Sequence, residues 1–123
     1  MNRIKASTAG AKNDDGVLVH KALRRACAGS GLSIAEAAQI VGISRSILSR
    51  DQGRLTGKSQ QLGILLLRAL RSLDGVLGGN SKHTKHWLHT YNLHLRGVPS
   101  QRMREPEGLV AVVHYIDAMR GKI

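Results

Sequence analysis

Apolar residues early in the chain recur at helical spacing. Val19, Leu23, Ala26 and Cys27 fall at i, i+4, i+7 and i+8, one face of a helix that ends near Gly29 to Gly31. A longer stripe of Leu62, Leu65, Leu66, Ala69, Leu73, Val76 and Leu77 predicts a helix over 59–77, stopped by Gly78 and Gly79. Ile64 and Leu67 point away from that stripe. A helix apolar on a second side has a second partner, so this pair marks either a dimer contact or burial beneath the first helix. Asn80 or Ser81 can cap a short helix running through Thr90, and Asn92, Gly97 and Pro99 mark an irregular stretch over 91–99. A last helix begins near Pro106, with Glu107 in its first turn and Leu109, Val112, Val113, Ile116 and Met119 as its buried stripe. No segment alternates cleanly as a strand would, and the fold class is all-α.

Residues 1–15 are mostly Lys, Asn, Ser, Thr, Gly and Asp, with almost no large apolar side chain to offset the entropy of ordering. They predict a flexible arm. Behind it, one unit over 16–71 packs through the long helix onto a small helical unit over 72–123. Nineteen Lys and Arg against eight Asp and Glu leave a charge of +11, which favours a polyanionic partner. Phe is absent and the aromatics are Trp87, Tyr91 and Tyr115, too few platforms for stacking single-stranded bases. Double-stranded DNA is the better match. No apolar run is long enough to span a bilayer, so no membrane role is expected. A lone Cys27 and no apolar stretch near Met1 make a cytoplasmic location the expectation.

The segment 32–50, LSIAEAAQIVGISRSILSR, carries the most information. Ser33 and Glu36 form a capping box that fixes where a second helix starts. Gly42, four residues after the small Ala38, supplies the positive φ that a tight turn between crossing helices needs. Ser44 caps a third helix, and Leu48, six residues after the glycine, faces inward to lock it. This order resembles the helix-turn-helix of Cro/repressor type. Such a motif presents the N-terminal end of its second helix to the major groove, so Ser44, Arg45, Ser46, Ser49 and Arg50 are the candidates for base and phosphate contact. Arginine can fork onto guanine O6 and N7, whereas serine reads ambiguously. An ordinary helical hairpin is the plain alternative; twelve positive against four negative residues in the first 71 argue against it.

Nothing in the second half reads as an enzyme. His83, His86, His89, His94 and His114 suggest a metal, but rings three residues apart on a helix are turned by about 300° and do not converge on one ion. No metal site, cofactor or catalytic residue is expected. Cys27 reads as a small buried apolar residue and Trp87 as a core anchor.

The second half does resemble the C-terminal toxin-binding domain of Xre/ParS-type antitoxins. The landmarks are LRSLDGVLGGN (70–80), HWLHTYN (86–92), LRGVP (95–99), EGL (107–109) and VVHYIDAMRG (112–121). In order, a glycine pair ends a helix, a Trp-Leu follows, an Asn-containing turn leads to Gly-x-Pro, and Gly-Leu nine residues after the Pro opens the last helix. Tyr91, Arg96 and Arg102 depart from the family pattern: the first two alter the loop between Thr90 and Pro99, and Arg102 turns a usually buried contact into a partner-facing one.

The resemblance implies a homodimeric antitoxin that neutralises a RES-type toxin acting on NAD by covering its active site, and that represses its own operon through operator DNA. It also implies that Gly121 begins a short tail aimed at the toxin's active site. Arg120, Gly121, Lys122 and Ile123 are therefore expected to bind toxin, joined by a second basic cluster of Arg96, Arg102 and Arg104. The alternative is a free-standing helix-turn-helix repressor with a C-terminal dimerisation domain.

Overall fold

The structure, a computed structural model, describes the backbone of residues 2–121 and the side chains of residues 15–121. Helices α1 (Asn2–Ser30), α2 (Ile34–Val41), α3 (Arg45–Ser49), α4 (Gly57–Val76), α5 (Ser81–Leu88), α6 (Pro99–Arg102) and α7 (Pro106–Gly121) follow one another, and the fold is all-α. The one β feature among the described residues is an isolated bridge between Asn92 and Gly97.

The backbone of α1 is helical from Asn2, through the stretch where composition predicts an arm. Alanine and lysine in that stretch are good helix formers. Once the packed turns from Val19 onward exist, further turns add without a new nucleation step.

Helix α4 lies at the centre, packed by α1, α2 and α7. Leu23 of α1, Leu66 and Leu73 of α4, and Leu109 and Ile116 of α7 are all at most 1% exposed in one continuous core. Each contributes about 1.5–3 kcal/mol by leaving water. Leu67 is part of this core at 7% exposure, which corrects its expected place at a dimer contact: α1 covers the second apolar side of α4. Ile64, half exposed, remains on the surface. The expected unit boundary after residue 71 falls inside the unbroken α4, with Leu70, Ser72 and Leu73 buried on both sides of it.

Candidate functional site

The local chemistry of 32–50 builds the predicted turn. Ser33 Oγ accepts from the Glu36 amide at 3.0 Å, and Glu36 Oε1 accepts from the Ser33 amide at 2.9 Å. Gly42 ends α2 with φ 80°, its N–H donating to Ala38 O at 2.9 Å. Ser44 Oγ accepts from the Ile47 amide at 3.4 Å and starts α3, whose Leu48 is completely buried. Ser44, Arg45, Ser46, Ser49 and Arg50 are consequently all exposed on one short element. The hydroxyls are partly occupied: Ser44 and Ser46 Oγ lie 3.1 Å apart, and Ser49 Oγ donates to Ser46 O at 3.2 Å. Arg45 and Arg50 have no ion-pair partner among the described residues, and Arg50 sits one residue past the helix on extended backbone.

The sequence reading overlooked His20. It is 1% exposed, and its Nε2 lies 2.9 Å from Ile47 O, a carbonyl that can only accept, so Nε2–H donates. Gly53 makes room for the ring, since a Cβ there would stand 2.4 Å from Nε2. His20 thus pins α3 to α1. The signal was available in register: 20, 23 and 27 share the face of Leu23 and Cys27. Beside this contact Lys21, Arg24, Arg25 and Arg54 line an open cleft next to α3, with Arg24 paired to Asp51 at 3.4 Å. These cations extend the positive surface around the short helix and suit phosphate contact.

In the C-terminal half the expected basic cluster divides. Arg102 is half-buried and donates from Nε to Leu95 O at 3.0 Å, so it braces the 91–98 loop from within; its expected partner-facing role is corrected. Arg96 and Arg104 are exposed. Arg120 donates to Ser72 Oγ at 3.2 Å, tying the end of α7 to α4. Arg104 precedes α7 and Arg120 nearly ends it, so the helix separates them by about 20 Å. Gly121 is the last helical residue, and Lys122 and Ile123 lie outside the described residues. Trp87, expected as a core anchor, is half-buried and packs against the core. It stacks on Tyr115 with centroids 6.3 Å apart, and Tyr115 stacks in turn on His94 at 5.4 Å.

Two family models match the chain. Residues 11–68 match the antitoxin Xre-like helix-turn-helix domain, and residues 72–122 match the antitoxin Xre/MbcA/ParS C-terminal toxin-binding domain. The chain belongs to the Xre-type antitoxin family. No curated protein matches it.

The antitoxin's two matched regions are joined by more than α4. His89, which caps the C-terminal end of α5, places Nδ1 2.7 Å from Lys85 O and Nε2 2.9 Å from Glu36 Oε2. The carboxylate that caps the first helix of the DNA-binding motif is thereby held by the toxin-binding domain. Burial alone would raise the Glu36 pKa, but hydrogen bonds from the Ser33 amide and His89 outweigh it and hold the carboxyl below its ordinary 4.5. The buried Cys27 thiol is pushed up to about 11, by burial first and by the Glu36 charge second, which leaves little reactive thiolate. Among the described residues no helix of the antitoxin is long and apolar enough to cross a membrane.

Proposed function

We propose that this antitoxin neutralises a RES-type toxin, one that consumes NAD, by occupying its active site, and that as a homodimer it represses its own operon by binding operator DNA. The toxin class rests on the order of landmarks from Leu70 to Gly121, and the site of action on both sides is the cytoplasm. The observation that carries the reading is the union, in one chain, of a toxin-binding domain with a short helix whose Ser44, Arg45, Ser46, Ser49 and Arg50 are all exposed beside a basic cleft. The protein acts by binding and has no catalytic part.

Homodimerisation is supported by apolar surface outside the core. Leu18 is 61% exposed and lines one groove between α1 and α4 with Ile64, so the contact we propose is Leu18 with Ile64 rather than Ile64 with Leu67. A two-fold pair of short helices supplies the second half-site that one motif lacks.

Co-expression with the product of the adjacent reading frame tests the whole reading. Rescue of growth and of cellular NAD, together with retardation of the upstream operon DNA, is the expected outcome. Retardation without rescue would leave only a repressor. Deleting residues 121–123, which spares the Arg120–Ser72 bond, abolishes rescue but not DNA binding if the tail and the residues Gly121, Lys122 and Ile123 enter the toxin's active site.

A further inference from the structure

The toxin-binding domain carries large apolar side chains that its own core does not use. Leu93 is 82% exposed and Tyr91 is 60% exposed, on either side of a half-buried Asn92. Exposed apolar side chains on a flexible loop signify little, but this loop is braced throughout. Asn92 and Gly97 exchange backbone hydrogen bonds at 2.9 and 3.3 Å. Asn92 Oδ1 accepts from the Leu95 amide at 3.1 Å, and Leu93 O accepts from the Arg96 amide at 3.3 Å. Leu95 is buried and its carbonyl is held by Arg102, while the His94 ring lies on Tyr115. Arg96 has φ 55°, the one non-glycine residue at positive φ among those described, an unfavourable conformation that persists because the surrounding contacts over-determine it.

A braced loop with an outward leucine and tyrosine has little ordering entropy left to lose on binding. Its electrostatic setting selects the partner. Residues 75–104 contain no Asp or Glu, but do contain Lys82, Lys85, Arg96, Arg102 and Arg104. A second copy of the same stretch would bring like charge against like, whereas an acidic surface would be drawn to it.

We propose that Leu93 and Tyr91 are the anchors by which the toxin-binding domain grips its toxin, entering an apolar socket with a carboxylate-rich rim on the toxin's surface. This rests on the toxin-binding reading above and adds a docking site separate from the tail. Central apolar anchors in a desolvated socket dominate such interfaces, while the ring of charge sets the approach rate.

The test uses the full-length antitoxin and the purified product of the adjacent reading frame. Leu93→Asp weakens toxin binding by about 30-fold or more and Leu93→Ala by about tenfold, through the dissociation rate. Arg104→Glu slows association mainly at low salt. Gln61→Glu, at an exposed position of α4 outside the domain, leaves toxin affinity unchanged. Because Leu93 supports no core contact, helicity and operator binding of its variants stay at wild-type level, which separates lost docking from lost fold. Equal toxin affinity of wild type and Leu93→Asp overturns the anchor while leaving the antitoxin reading in place. A wild-type chain that binds no toxin overturns both. A scattering mass halved by Leu93→Asp overturns the proposal by showing that a second copy occupies the loop.

Discussion

The Glu36 carboxylate is shared between the start of α2 and the end of α5, so its charge bears on both. Its pKa is lower folded than unfolded, so its stabilising effect is fully present above pH 4.5 and disappears as the pH falls through the lower folded value. Urea titrations should show Glu36→Gln less stable than wild type by about 1 kcal/mol at pH 7, with the gap closing as the pH falls below 4.5. His20 makes a different prediction. Replacement by Leu fills similar space but leaves Ile47 O without its donor, for a loss of about 1–3 kcal/mol. Operator binding should weaken with it, and toxin binding should persist; a gel-shift titration beside a toxin pull-down separates the two. Arg45→Ala should remove about 1–3 kcal/mol of preference for operator over unrelated DNA if the guanidinium forks a guanine, and should weaken all sequences equally if it meets phosphate.

Among the elements, the helix-turn-helix was the most legible, because Ser33, Glu36, Gly42, Ser44 and Leu48 each have a local task that sequence spacing reveals. The edges of α4 and α7 were legible for the same reason, with glycine ending one and Pro106 starting the other. What escaped was the use of α4's second face. A stripe identifies one buried side of a helix, yet whether the other meets the chain's own α1 or a second copy depends on tertiary packing that no period encodes. Leu67→Glu should therefore unfold the protein, whereas Ile64→Glu should give folded monomer in solution scattering. His20 and Arg102 escaped because polar residues that turn inward look like surface ones in sequence. Each is bonded to a backbone carbonyl, Ile47 O and Leu95 O, that folding alone brings near.

At the scale of the whole molecule, a charge of +11 makes operator binding steeply dependent on salt, because each phosphate neutralised releases counterions. The two matched regions meet between residues 68 and 72, in the middle of an unbroken helix whose side chains are buried both before and after that point. The chain has no linker there for a protease to cut. Calorimetry should give a single unfolding peak, and limited digestion should release no lasting fragment of either half. Turnover of such a protein is all or nothing: the molecule that stops holding the toxin is the same one that leaves the operator, so both lapse with a single lifetime.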